Sequence, residues 1–318
     1  MRDAAMEGPE DTVSASETIL VTGVNGFIGG AVARRLVGAG HHVLGSDLGP
    51  KPSVEGLAGY LSVDLGAPQA WTLLDWVGNV DRVLHAGGIS GFMVETDNPR
   101  RIVEVNVGGS LAVLELARQR RARRSVLCST IMAYGPGDGD PVEEHEYPTP
   151  VSVYGASKVA LEGLVYGYAG QHGVDSVALR FSHVYGPGRT TQCFIREMLH
   201  AAIVGTRCTL VQPANSPRQY VYIEDVCDSI ERALFLERLP TRHYNITADE
   251  IHTLAQVRVA VESVVGPLDV DFDESNDVLA YRMPKLSIRR ARAELGYAPR
   301  FDLRRGIAAY AQALTATG

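Results

Sequence analysis

The chain of 318 residues contains only four cysteines, Cys128, Cys193, Cys208 and Cys227. None forms a C-x-x-C pair or has a histidine partner at zinc-ligand spacing, which argues against a disulfide scaffold and a thiolate metal centre. The cysteines read as reduced thiols of a cytoplasmic protein, with no metal site expected. No apolar run reaches the roughly 18 residues that a membrane-spanning helix requires, so no membrane partner is expected. Positive charge is not in excess either. Lys and Arg number 30 against 37 Asp and Glu, a formal net charge of -7. That balance excludes a general affinity for nucleic acid, although local arginines could still hold an anionic substrate. Repeats, low-complexity tracts and long linkers are also missing. The length therefore predicts one large α/β domain or two closely joined ones. Residues 1–17, "MRDAAMEGPEDTVSASE", lack the apolar centre of a signal peptide and are expected to form a disordered lead-in.

Order begins at "TILVTGVNGFIGGAVARRLVGAGHHVLGSD". A short β-branched run is followed by glycines, then by apolar residues at helical spacing, then by a second strand. Further strand-like runs follow at "YLSVD", "RVLHAG", "SVLCS" and "SVALRF", and helical patterns occupy 100–122 and 154–171. Alternating strands and helices predict a doubly wound parallel sheet of the Rossmann type, covered on both faces. After about residue 181 the rhythm becomes mixed. "SHVYGPGRTT" reads as a loop, and residues 182–318 as mostly a smaller substrate-binding lobe with some segments returning to the sheet. Residues 18–181 would form the dinucleotide-binding part.

Gly23, Gly26 and Gly29 form a G-x-x-G-x-x-G turn between the first strand and helix. Such a turn lets backbone approach a pyrophosphate. The helix start at Phe27 and Ile28 offers it N–H groups and the positive end of a dipole. Asp47 closes the second strand, where a carboxylate can accept both ribose hydroxyls of NAD and repels the 2′-phosphate of NADP. Asp64, beside Leu65 in "SVDLG", ends the third strand and could accept from the adenine amino group.

"VYGASK" places Tyr154 and Lys158 four apart, on one face of a predicted helix. A free phenol, with a pKa near 10, is a poor base at neutral pH. An adjacent ammonium and the positive ring of NAD+ would both favour phenolate. Tyr154 could then take a proton from a substrate hydroxyl as hydride leaves for the cofactor, and return it in reverse.

The ordered motifs "TGVNGFIG", "SD", "VDL", "HAGG", "NVGGSLAVLELA", "CSTIMAYG", "YGASK", "LRFSHVYGP" and "RQYVYIEDV" resemble the extended short-chain dehydrogenase/reductases, in the branch of NAD-dependent sugar epimerases and dehydratases. The resemblance runs from about residue 18 to the C-terminus. It implies that the Thr130 hydroxyl orients the reacting oxygen beside Tyr154 and Lys158, with Ser129 on the cofactor side. It also brings the backbone at Ala86, Gly87 and Gly88, and Ser90 beyond it, close to the cofactor. Asn106 would help place Lys158 next to the dinucleotide, and Phe181 would lie beside the nicotinamide. His183 stands where the family carries an asparagine that contacts substrate, and Arg218 where it carries an arginine that pairs with a diphosphate. Ile131 and Met132 replace the Asp and Glu that directly follow the threonine in sugar-nucleotide dehydratases, which disfavours that reaction.

The expected activity is therefore epimerisation of a sugar-like, anionic substrate such as a UDP-sugar, at C4, with bound NAD. A net dehydrogenase of a sugar, sugar acid or small hydroxy compound is the alternative, and a non-catalytic dinucleotide sensor a third. The resemblance also implies a homodimer, paired through the helices at 100–122 and 154–171.

Overall fold

In a computed structural model, which describes residues 16–90, 97–137, 141–273 and 283–316, the strand–helix rhythm becomes a seven-stranded sheet. Its strands begin with β1 (Thr18–Thr22), β2 (His42–Asp47), β3 (Gly59–Ser62), β4 (Arg82–His85), β5 (Arg124–Thr130) and β6 (Ser176–Phe181). Four short strands then lie outside it: β7 (His183–Tyr185), β8 (Cys208–Leu210), β9 (Pro217–Arg218) and β10 (Tyr220–Tyr222). The chain returns to the sheet with β11 (His243–Ile246), before β12 (His252–Thr253) and β13 (Val270–Phe272). The sheet order is β3-β2-β1-β4-β5-β6-β11, and every neighbouring pair is parallel. Strand order reverses at β1, which opens a crevice beyond the carboxyl ends of β1 and β4.

The helices are α1 (Phe27–Gly38), α2 (Thr72–Trp76), α3 (Pro99–Val103), α4 (Gly109–Arg120), α5 (Val153–His172), α6 (Phe194–Val204), α7 (Ile223–Phe235), α8 (Leu254–Val265), α9 (Arg289–Leu295) and α10 (Leu303–Ala316). Their placement follows from the two-residue period of the strands. In β1, Ile19 and Val21 share an apolar cluster with Val32, Ala33 and Leu36 of α1. Leu20 points to the opposite face and joins Leu73, Val113 and Leu116. Likewise Val126, Val177 and Leu179 sit with α1 and α7, whereas Leu127 and Ala178 meet Leu161 and Val165 of α5. Both faces are covered, which is why these strands read as continuous apolar runs rather than alternating ones.

Three local features differ from the sequence reading. The expected loop after residue 181 contains β7, which pairs in parallel with β10 through Val184↔Val221; buried Val184 and Tyr185 hold it against the core. The expected helix 100–122 is interrupted by a π-helical turn over Glu104–Gly108. The lead-in expected to be disordered over 1–17 includes two described residues, Ser16 and Glu17, that bond to the rest of the fold. Glu17 is 9% exposed and pairs with Arg82 and Arg123. Residues 1–15 of that segment lie outside the described residues. Among the described residues, no helix is long and apolar enough to cross a membrane.

Candidate active site

Gly23 follows β1 at φ +69°, and a Cβ there would lie 2.6 Å from the Gly87 nitrogen. Only glycine permits both this backbone and this approach of the first turn to the loop after β4. The turn is tied to β2, because the Gly23 amide donates to the Ser46 carbonyl at 2.8 Å. Gly26 then starts α1 with an extended backbone and no side-chain cap, so the first helical turn presents N–H groups that no preceding carbonyl can satisfy. Asp47 sits at the edge of this cradle. Its carboxylate accepts from the Asn25 amide at 2.9 Å and from the Leu48 amide at 2.7 Å. Both oxygens are thus oriented by backbone donors, and each keeps lone-pair capacity for a diol. A dinucleotide fits here: the glycine turn can receive its phosphates, the start of α1 favours their charge, and Asp47 can take a ribose.

Asp64 lies one strand further out. Its Oδ1 accepts from Arg101 at 2.6 Å and from the Gly66 amide at 2.9 Å. Burial raises its pKa, but these bonds and the Arg101 charge outweigh that and hold it below the ordinary value. Neighbouring Leu65 packs beneath Gly87 and Gly109.

Tyr154 and Lys158 lie on the inner face of α5, 8% and 6% exposed. The helix starts cleanly because Ser152 caps it by accepting from the Gly155 amide. Gly155 then lets α5 approach the turn after β5: a Cβ there would stand 2.4 Å from the Met132 carbonyl oxygen. Lys158 Nζ lies 6.0 Å from the centre of the Tyr154 ring and donates to the Cys128 carbonyl at 3.0 Å. Burial lowers the Lys158 pKa, against the opposing pull of Cys128 and Glu162. Thr130 ends β5, paired in register with Phe181 at the end of β6. Its oxygen accepts from the Met132 amide at 3.2 Å, which leaves the hydroxyl hydrogen to donate elsewhere. The loop after β4 closes the group, since a Cβ on Gly88 would lie 3.5 Å from Lys158 Nζ. Ala86 is half-buried beside it, and Ser90 is exposed.

Two residues expected at the cofactor side, Asn106 and Ser129, have side-chain partners within the protein. Asn106 is fully buried, in the π-turn. Its Oδ1 accepts from the Ile89 amide at 2.9 Å, and its Nδ2 donates to the Ile89 carbonyl and to Ser157 Oγ, both at 3.0 Å. Both amide hydrogens are used, and Asn106 thereby ties the loop beside the cofactor cradle to α5. Ser129, expected on the cofactor side, turns its hydroxyl to Glu162 Oε1 at 2.6 Å. Successive side chains of a strand face opposite ways, so Thr130 and Ser129 cannot share a side.

At the start of β7, His183 is half-buried and its Nδ1 lies 3.1 Å from the Gln219 carbonyl. Burial, then the charges of Arg218 and Arg189, push its pKa down to about 3. Arg218 is only 3% exposed. Its guanidinium donates to Ser216 Oγ at 2.6 Å, to Gln212 Oε1 at 2.7 Å and to the Pro217 carbonyl at 2.8 Å. These bonds fix the fork against residues 212–217, which immediately precede it. Sequence reading missed Arg189, Glu162 and Arg180. Arg189 follows "YGPG" directly, so its nearness to His183 was the one signal available.

The NAD dependent epimerase/dehydratase family model matches residues 19–247. A probable UDP-glucuronate 4-epimerase of Rhizobium meliloti is 28% identical over 269 residues, 78% of this chain and 76% of that protein. Among solved structures, the UDP-glucose 4-epimerase of Thermotoga maritima with UDP-glucose superposes with a TM-score of 0.84 at 25% identity, covering 94% of this chain and 99% of that one. The Thermus thermophilus UDP-glucose 4-epimerase in complex with NAD gives 0.83 at 26% identity, covering 95% and 100%. With a matching cradle, a buried Tyr–Lys pair and this agreement over most of its length, the chain belongs to the NAD-dependent epimerase/dehydratase family.

Proposed function

We propose that this protein is an NAD-dependent sugar epimerase that inverts C4 of a UDP-sugar. The observation that carries the reading is the burial of Tyr154 and Lys158 on one face of α5, against the end of β5 that bears Thr130. Held by the turn at Gly23 and Gly26 and by Asp47, a bound NAD would supply the acceptor, and on the return the donor, of the hydride at the sugar carbon. Tyr154 removes the proton of the hydroxyl on that carbon and gives it back on the return. Lys158 supplies the positive charge that favours phenolate, from a position fixed by Cys128. Thr130 donates to the reacting oxygen and steadies its charge. Ile131 and Met132, 3% and 6% exposed in an apolar cluster with Tyr154, place no acid or base next to Thr130. That supports epimerisation over loss of water. Arg189 and Arg218, beside a His183 held neutral, supply the positive surroundings for an anionic substrate.

The proposal includes a homodimer through α5. Gly163, Gly167 and Gly170 lie exposed along one face with no atom near an added Cβ. Exposed mid-helix glycines cost roughly 1 kcal/mol each relative to alanine, a cost that close helix pairing offsets. Four buried free thiols support a reducing, cytoplasmic setting.

The test is incubation of the purified protein with NAD and a panel of UDP-hexoses and UDP-uronic acids. Formation of the C4 isomer without net NADH supports the reading. Stoichiometric NADH growth, with sugar acids or small hydroxy compounds as well, would make the protein a net dehydrogenase instead.

A further inference from the structure

His85 ends β4 with its ring 2% exposed, and neither proton transfer nor substrate contact uses it. Its Nδ1 lies 2.7 Å from Thr22 Oγ1, the last residue of β1, and its Nε2 lies 3.1 Å from Ser110 Oγ in the first turn of α4. The directions of these bonds follow from counting hydrogens. Ser110 has one hydroxyl hydrogen and donates it to the Asn106 carbonyl. Toward His85 it can only accept, so Nε2 carries the ring hydrogen. A neutral ring then leaves Nδ1 bare, to accept from Thr22. Burial, and secondarily the charge of Lys158, push the His85 pKa down to about 3, consistent with the neutral form. Thr22 Oγ1 in turn accepts from the Gly87 amide at 3.3 Å.

One continuous chain of bonds results: Gly87 to Thr22, Thr22 to His85, His85 to Ser110, Ser110 to the Asn106 carbonyl. The Asn106 side chain continues it, gripping both backbone groups of Ile89 and the Ser157 hydroxyl. Ser157 donates to the Tyr154 carbonyl at 2.7 Å. The chain therefore starts and ends at the site, tying both ends of the loop 87–89 to the helix that carries Tyr154 and Lys158.

We propose that His85, as its Nε2–H tautomer, is a positioning residue that sets the loop after β4 against α5, and so shapes the cofactor cradle. It acts through Ser110 and Asn106 on one side and through Thr22 on the other. It touches neither reactant. The π-turn fits this role: such turns recur at functional sites, and this one brings the Asn106 side chain and the carbonyl that Ser110 uses to two different partners.

The test uses the full-length protein and needs no sugar, so its outcome is independent of the substrate assignment. Amide hydrogen exchange is followed at Gly87 and Ile89, and NAD affinity is measured by calorimetry, in Ser110→Ala, His85→Leu and His85→Gln. Ser110→Ala and His85→Leu should speed exchange at Ile89 by about 5–10-fold, the effect of losing roughly one net hydrogen bond. Neither residue touches Ile89. NAD affinity should fall by a similar factor. His85→Gln, whose amide can donate to Ser110, should recover most of both losses. A loss of thermal stability alone, with exchange at Ile89 and NAD affinity unchanged, would overturn the proposal. So would a glutamine variant no better than leucine. If the leucine variant fails to fold, Ser110→Ala decides the matter by the same two readouts, since it removes only one oxygen.

Discussion

Glu162 and Arg180 face each other inside the protein, 5% and 2% exposed, in a two-pronged ion pair one helical turn beyond Lys158. Ser129 adds a third hydrogen bond to the carboxylate. The guanidinium also lies 4.5 Å from the centre of the Tyr134 ring. Burial disfavours the Arg180 charge, but Glu162 outweighs it and holds the pKa above the ordinary arginine value. The pair joins α5, β5 and β6 directly behind the reacting groups. Glu162→Gln should destabilise the protein by about 3–5 kcal/mol in urea unfolding, because a buried cation loses its partner. A double variant with Met at both positions should recover part of that loss. A cost under about 1 kcal/mol for Glu162→Gln would show that water reaches the pair.

Tyr154→Phe removes only the phenol oxygen. Turnover should fall by about 10²–10⁴-fold, the range of a lost general acid–base group. NAD affinity, read by fluorescence titration, should change by less than about threefold, since Gly23 and Asp47 lie on other elements. Retention of most of the rate would assign the proton transfer to another residue.

Asp47→Ala should weaken NAD binding by about 10-fold, the scale of a hydrogen bond to a charged group, and should narrow the preference over NADP. Parallel titrations with both dinucleotides check this. Unchanged NAD affinity would mean that the ribose is read elsewhere.

The pH dependence follows from His183, whose pKa falls from 6.5 to about 3 on folding. Between those values the unfolded chain binds the proton and the folded one does not. Stability should therefore drop as pH falls from about 6.5 toward 3. His183→Asn should flatten part of that slope in thermal melts taken across the range. His85, also near 3, supplies a further part. Parallel melting curves for the variant and the parent would remove His183 from the account.

Gly163→Arg on the exposed face of α5 should convert a dimer into monomers in light scattering, while the isolated fold keeps its melting temperature to within a few degrees. If the parent protein is itself monomeric at micromolar concentration, the dimer reading fails at once.

The sequence by itself determined the parts that depend on neighbours along the chain. Apolar periodicity set the strands and helices, the glycine spacing set the turn before α1, and four-residue spacing put Tyr154 and Lys158 on one helix face. Asp47 was legible as the last residue of a strand, which meets the ligand edge of a parallel sheet, and Thr130 through the family resemblance. Tertiary structure alone decided which partner each buried polar group would find. Asn106 reaches Ile89 and Ser157, Ser129 turns to Glu162, and His85 links Thr22 to Ser110 across 63 and 25 positions of the chain. The physical reason is that a buried donor or acceptor left unmatched is costly, so most find a partner. The match is set by which strands and helices lie side by side, a relation that local spacing does not encode.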